Sequence, residues 1–321
     1  MTGPEYAFAA PTDDMRAVVS MHALRGLGYD ARVYGPDLDA AQVMGAKVVV
    51  ARIFSSFSLN EEFLQHPKLI CDMIEVPTGQ ELELCRRAAE RGARFSAASE
   101  HLAQAAGRLL GRPVEHVPEP ADTAQFEPRA ARARKRSRAL DWLARRAGLE
   151  QDPRRLRLLW SGGGAELEPL AQAVARLERL GSELPMELRC LAPAGPALEA
   201  LADRLAERDP DALRIAMQAW SMPAQAQRLG ECDFVLLPGT VARLVSALYA
   251  GRLALVRPSP RLGPLAQYAW VGEDPCEGIR WALADPRAAL DRLRRGQQYA
   301  NSIHAPSAVA RTWVRMFMKG A

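Results

Sequence analysis

Lysine is nearly missing from this chain of 321 residues. Four of its 42 basic side chains are Lys (Lys47, Lys68, Lys135, Lys319) and the other 38 are Arg. Cysteine is also sparse. The five residues (Cys71, Cys85, Cys190, Cys232, Cys276) are odd in number, widely spread, and never in a C-x-x-C pair. That excludes a zinc knuckle and a disulfide framework, and it fits a reduced, cytoplasmic compartment. No apolar run approaches the roughly 20 residues a bilayer span needs. The first residues, MTGPEYAFAAPTDDM, lack a basic start followed by an apolar stretch, so no secretory signal is expected. Aromatics are 6%, but apolar residues reach 48%, enough for a full-sized core and too many for a disordered chain.

The charge is also local. The net charge of +4 hides a segment from Arg129 to Arg157 with eleven basic and three acidic residues, net +8. The rest of the chain is therefore net −4. A nucleic-acid coat would spread its basic residues over a face, so no nucleic-acid partner is expected. Two readings of the segment stand side by side. One is a solvated helix. The other is peripheral contact with an anionic membrane surface or a lipid-phosphate acceptor, at the inner face of a membrane.

The pattern of apolar runs alternates strand and helix. Tyr6–Ala10, Ala31–Tyr34, Lys47–Ile53, Leu69–Ile74, Arg94–Ala97 and Val114–Val117 are short runs of strand type. Between them lie helical stretches at Asp14–Leu27, Ala40–Met44, Leu59–Gln65, Gly79–Arg91 and Glu100–Leu110, several stopped by Gly. The series restarts at Leu156–Trp160 and runs through Glu187–Ala192, Leu213–Met217, Asp233–Leu237 and Leu253–Val256. Its helical stretches are Leu167–Leu180, Ala197–Glu207, Pro223–Leu229, Val241–Ala250 and Pro275–Ala284. Arg287–Phe317 reads as one or two terminal helices interrupted near Pro306. This alternation predicts α/β architecture with two parallel sheets. The expected domains are residues 1–128, a basic helical linker at 129–153, a second domain at 154–286, and terminal helices at 287–321 that cross back to the first domain.

Ligands of open parallel sheets bind beyond the carboxyl ends of the strands. Ser161-Gly162-Gly163-Gly164 follows the first strand of the second series, and the helix behind it offers free N–H groups suited to phosphate. An ordinary tight turn is the plainer reading. There is no G-x-G-x-x-G with a downstream acid and no Lys-Ser/Thr of a P-loop. The stretch DFVLLPGTVARLVSALYAG (Asp233–Gly251) ends a buried strand at Pro238-Gly239. Thr240 is placed to cap the next helix, and Arg243 falls in its first turn. The helix dipole disfavours a cation there, so an Arg suits an anionic ligand at the same end; a solvated Arg is the alternative. Asp72 and Glu75, three apart at a strand end, suit a base or acceptor contact, or a structural cap before Pro77. The five His lack metal-ligand spacing. Of the six Trp, Trp220, just past a strand, is the one placed to line a nucleotide cleft.

These features together resemble the GT-B glycosyltransferases, in particular the "glycosyl transferases group 1" branch. The likeness rests on the Gly-rich turn, DFVLLPG, RLVSALYAG leading into LALV, and VPEPADTAQFEP (Val117–Pro128). In that last stretch Pro118, Asp122, Phe126 and Pro128 match a crossover pattern, and Glu119 replaces its Asn. The resemblance implies two Rossmann-like domains facing across a cleft, an acceptor side first and a nucleotide-sugar donor side second. It implies transfer of a sugar to a hydroxyl of a glycan or lipid-linked acceptor, as in polysaccharide assembly. It implies no cofactor, since the nucleotide sugar is the substrate, and no metal. The expected catalytic residues are Arg243, which resembles a variant of the family's helix start, and Asp72, from its place at a strand end. The implied donor contacts are Gly162, Gly163, Gly164, Trp220, Gly239, Thr240 and Ser246.

The chain also departs from the family. Where the family has two Glu residues with seven between, this sequence has Pro238 and Ser246. After the Gly-rich turn, where the family has Arg and Lys for the diphosphate, it has Ala165-Glu166-Leu167-Glu168, which repels phosphate. Where the family has an acceptor-side His, it has Asp72 and Glu75. Loss of these groups implies a second reading, a non-catalytic GT-B-like binding or scaffold protein. A third, a two-domain small-molecule receptor of periplasmic type, is disfavoured by the missing signal and the single crossover.

Overall fold

Short strands with continuous apolar runs, each followed by an amphipathic helix, sort this chain into two units. The computed structural model describes residues 5–11, 14–35, 40–53, 61–129, 155–163, 166–206 and 212–319. One unit comprises Met1–Asp122 with Asn301–Ala321; the other is Thr123–Ala300. Most of the basic segment, residues 130–154, lies outside the described residues, as does Gly164.

The first unit contains β1 (Tyr6–Ala9), α1 (Met15–Gly26), β2 (Ala31–Tyr34), α2 (Ala40–Met44), β3 (Val48–Ile53), a 3₁₀ turn (Glu61–Gln65) and β4 (Leu69–Met73). It continues with α3 (Gly79–Glu90), β5 (Arg94–Ala97), α4 (Glu100–Leu110) and β6 (Glu115–His116). Its sheet is parallel, in the order β2-β1-β3-β4-β5-β6. All six residues of β3 are buried, as a central strand covered on both faces requires. Val49, Cys71 and Phe95 pack beneath α3 and α4 on one face. Phe8, Val50 and Ile70 pack on the other, against α1 and the C-terminal helix (Pro306–Met318). Trp313 of that helix is fully buried, stands edge-on to Phe8 at 5.8 Å, and donates from Nε1 to Ser20 Oγ at 3.1 Å.

The second unit contains β7 (Leu156–Ser161), α5 (Leu167–Gly181), β8 (Met186–Ala192), α6 (Pro196–Ala206), β9 (Leu213–Ala219), α7 (Met222–Glu231) and β10 (Phe234–Leu237). After these come α8 (Val241–Tyr249), β11 (Leu253–Val256), a 3₁₀ stretch (Pro260–Tyr268) kinked at Gly263, β12 (Trp270–Val271), α9 (Pro275–Ala284) and α10 (Pro286–Ile303). The sheet is again parallel, in the order β12-β11-β10-β7-β8-β9. Among the described residues the expected elements are present, with ends shifted by a residue or two; the helical linker expected at 129–153 lies outside them but for Arg129. The two-residue β12 and the 3₁₀ stretch before it are additions.

Leu156, Leu158 and Trp160 of β7 share one core with Leu170, Val174 and Leu177 of α5 and Ile279 of α9. Alternation along the strand turns Leu159 and Ser161 to the opposite face, and α8 packs against β10 and β11. In this sheet β8 and β9 build outward from one side of β7, and β10 to β12 from the other. The chain therefore reverses direction between β7 and β10, the crevice where open α/β sheets take ligands.

All five cysteines are free and buried. Burial pushes the thiols of Cys85, Cys232 and Cys276 up to about 12, which keeps them unreactive. Among the described residues no helix is long and apolar enough to cross a membrane. Three of the eleven basic residues in the charged segment are tied down inside the second unit. Arg129 donates to the Glu231 carbonyl at 2.7 Å, Arg155 to the Met186 carbonyl at 3.3 Å, and Arg157 to the Glu231 carbonyl at 3.4 Å.

Candidate functional site

The switch point of the second sheet is framed by two helix starts, one on each face. On one side β7 runs into Gly162-Gly163 and then α5. On the other, β10 runs through Pro238-Gly239 to Thr240, the N-cap residue of α8. Gly239 has φ +97°, and a Cβ there would stand 3.2 Å from the Arg257 carbonyl oxygen and 3.1 Å from Ser259 Cβ, so this turn requires glycine. Gly162 is glycine for a different reason. An added Cβ would fall 2.1 Å from the Trp160 ring, so the indole two residues earlier lies over the backbone. Neither Gly162 nor Gly163 has positive φ. At Gly162 it is packing against the indole that requires glycine.

Arg243 sits in the first turn of α8, and its Nη1 donates to Glu166 Oε2 at 3.0 Å. The same oxygen accepts the Gly163 N–H. Glu166 opens α5, so the pair joins the helix start on one face to the helix start on the other, across the carboxyl edge. Both side chains keep about a quarter of their surface exposed, 25% for Glu166 and 27% for Arg243. The acidic residue expected to repel phosphate thus occupies the groups that would hold one. Glu166 was not among the expected site residues. Its position after the Gly-rich turn was visible, but its partner lies 77 residues away.

Two hydroxyls beside this pair are orphaned. Ser161 Oγ and Thr240 Oγ1 are buried and have no hydrogen-bond partner among the described residues. Thr240 has N-cap backbone geometry, but its side chain makes no capping bond, contrary to expectation. Ser161 is 3% exposed and ends β7 on the face that α8 covers. Unpaired buried hydroxyls are costly, and at a ligand site they mark where a ligand atom would pair.

The remaining expected residues are more dispersed. Ser246 is buried inside α8 and donates to the Ala242 carbonyl at 3.0 Å. Trp220 follows the edge strand β9, two strands from β7, about 10 Å along the same carboxyl edge by sheet spacing. Its Nε1 donates to Gln225 Oε1 at 2.6 Å. A cavity of about 670 Å³, counting open solvent, lies on the α5 side, lined by Trp160, Glu166, Pro238, Arg257 and Trp270 among others. Glu166 stands between it and the Arg243 cluster.

Asp72 requires the clearest correction. It is 1% exposed, and its carboxylate is used up by three partners. Oδ2 accepts from Arg16 Nε at 2.8 Å and from Arg52. Oδ1 accepts from Arg16 Nη2 at 3.0 Å and Ser96 Oγ at 2.7 Å. Burial alone would raise its pKa, but the two guanidinium groups outweigh that and hold it well below the usual carboxylate range. A carboxylate this deeply buried and held ionised by two guanidinium groups is not poised to take a proton, so Asp72 serves as a structural anion. Glu75, at the same strand end, is half-buried. Among the described residues no group of three or more His, Cys, Asp or Glu is placed to hold a metal ion.

No protein-family model matches the chain, and no curated protein matches it in sequence. Solved structures do match its fold. A glycosyltransferase from Rickettsia africae superposes with a TM-score of 0.70 at 8% identity, covering 99% of this chain and 98% of its own. HepE from Anabaena, solved in complex with UDP, gives 0.64 at 10% identity, covering 98% of this chain and 100% of its own. An α,α-trehalose 6-phosphate synthase from Burkholderia multivorans gives 0.53 at 11% identity, covering 95% of this chain and 82% of its own. At such identities the likeness is one of fold: the chain has the GT-B glycosyltransferase architecture, with two Rossmann-like units.

Proposed function

We propose that this protein is a glycosyltransferase that moves a sugar from a nucleotide-sugar donor to a hydroxyl of a glycan or lipid-linked acceptor, in polysaccharide assembly. The observation that carries this reading is the carboxyl edge at β7 and β10. There the Arg243 guanidinium in the first turn of α8 and the Gly163 N–H meet at one oxygen, and Ser161 at the end of β7 and Thr240 at the N-cap of α8 carry buried hydroxyls with no partner among the described residues. Such a set suits the diphosphate of a nucleotide sugar. Arg243 would offset the charge that grows on the leaving diphosphate as the sugar departs. Trp220, farther along the same edge, would contact the nucleoside. The UDP complex of HepE, a protein of the same fold, supports the donor class.

Thermal unfolding with a panel of nucleoside diphosphates and nucleotide sugars tests the reading. Ligand at 100 times its dissociation constant stabilises by about 2.7 kcal/mol. Silence across the panel would sink the donor site. The second reading, a non-catalytic binding protein of this fold, is favoured by one observation: Arg243 is already paired with Glu166. Arg243→Ala separates the two. An enzyme loses about 10²–10³ in turnover when such a donor is removed, whereas a scaffold keeps its partner. A lipid-phosphate acceptor would meet the eight basic residues between Arg132 and Arg154. Binding to anionic vesicles that weakens with added salt is the test of that contact.

A further inference from the structure

The anion-binding groups of the second unit are not vacant; a carboxylate of the same chain holds them. One oxygen, Glu166 Oε2, takes both the Gly163 N–H and Arg243 Nη1. We propose that Glu166 is an internal competitor for the diphosphate subsite, and so a specificity-determining residue of the donor site. It occupies Arg243 and Gly163 while no donor is bound, and a bound diphosphate displaces it. This rests on the nucleotide-sugar reading above.

Four observations support the exchange. The Glu166–Arg243 pair is a quarter exposed on both sides, which makes it a weak, solvent-screened contact rather than a locked one. Two hydroxyls on the flanking elements, Ser161 Oγ at the end of β7, 3% exposed, and Thr240 Oγ1 at the N-cap of α8, have no partner among the described residues. A phosphate brings more acceptor oxygens than a single carboxylate oxygen and can engage them. The displaced side chain has room, because Glu166 also lines the cavity on the α5 side. Finally, Arg243 lies at a helix start, where the dipole disfavours a cation; an anion is needed there in either state, and Glu166 supplies it between ligands.

The tethered carboxylate sets a threshold. A ligand must bind Arg243 and the Gly163 N–H more strongly than a group already present at high effective concentration. A diphosphate does so by its charge and its number of oxygens; a simple carboxylate does not. When the sugar has been transferred, the returning carboxylate speeds release of the nucleoside diphosphate.

The test is calorimetric titration of the full chain with UDP and with inorganic pyrophosphate, for the unaltered protein, Glu166→Gln, Glu166→Ala and Arg243→Ala. Glu166→Gln keeps the shape and removes the charge; Glu166→Ala removes the side chain. Thermal unfolding of each confirms a folded sample. We expect both Glu166 variants to bind UDP and pyrophosphate about tenfold tighter or more, and Arg243→Ala to abolish binding of both. If the unaltered protein binds UDP and both Glu166 variants bind it equally or more weakly, the competition is overturned and the nucleotide reading survives. If no protein in the set binds either probe, both fall together.

Discussion

Arg52 and Asp72 are register partners on β3 and β4 and form an ion pair that is sealed from solvent. Ser96 is the next residue in the same row, on β5, and Arg16 closes over it from α1. Arg52 also reaches Asp14, just past β1, at 2.8 Å. The row runs across β3, β4 and β5, and the Arg52–Asp14 pair carries it over the switch point between β1 and β3. Removing the anion would leave two buried guanidinium groups short of a partner. Asp72→Asn preserves the shape and is expected to cost about 3–5 kcal/mol in urea unfolding. A loss below about 1 kcal/mol would show that the charge of Asp72 contributes little.

The strand and helix pattern was legible because parallel strands buried on both faces are continuous apolar runs, as Val48–Ile53 shows. Trp270–Val271 was not, because two residues carry no period. The role of Asp72 was hidden for a different reason. An acid at a strand end reads alike whether it serves chemistry or a buried pair, and its partners are 20 and 56 residues away in sequence. Arg243 was legible from the dipole mismatch at its helix start. Its pairing with Glu166 was not, since only the fold brings the starts of α5 and α8 to one edge. Gly162 shows how a motif can mislead. A Gly-rich turn suggests backbone freedom, and here it accommodates the indole of Trp160.

His304 gives the first unit a pH signature. It is buried, and its Nδ1–H donates to the Glu119 carbonyl at 2.7 Å. Burial lowers its pKa to about 4. Between the ordinary value of about 6.5 and this lowered one, the unfolded chain binds a proton that the folded chain does not. Stability contributed by neutral His304 is therefore full above pH ~6.5 and lost as pH falls toward ~4, by on the order of 3 kcal/mol. Urea unfolding from pH 7 to pH 4 should show that slope, and His304→Gln should flatten it. Equal slopes for both proteins would exclude His304 as the source.

Adjacent glycines should respond differently to the same substitution. Gly162→Ala drives a methyl into the Trp160 ring and is expected to cost about 1–3 kcal/mol, the usual range for overpacking. Among the described residues, Gly163→Ala meets only Glu166 Oε2, at 3.6 Å, an ordinary contact. It should change stability by less than about 0.5 kcal/mol, as most substitutions outside a packed core do. Thermal unfolding of the two variants decides this. Equal losses would mean that the Trp160 indole does not set the glycine requirement.

Stability and ligand affinity should move in opposite directions at Ser161. Its hydroxyl is buried at the end of β7 with no partner among the described residues, a desolvation cost that the free protein leaves uncompensated there. Ser161→Ala removes the hydroxyl and little volume, and should leave the free protein unchanged or stabilise it by up to about 1 kcal/mol. If a diphosphate oxygen pairs with that hydroxyl, the same variant should bind UDP about 5- to 10-fold more weakly, since one neutral hydrogen bond is worth roughly 1 kcal/mol. Thermal unfolding of the free protein and titration with UDP read the two effects separately. A destabilised variant would mean that the hydroxyl already has a partner in the free protein. Unchanged UDP affinity would place the diphosphate away from β7 and leave the start of α8, with Arg243, as the part of the edge that holds it.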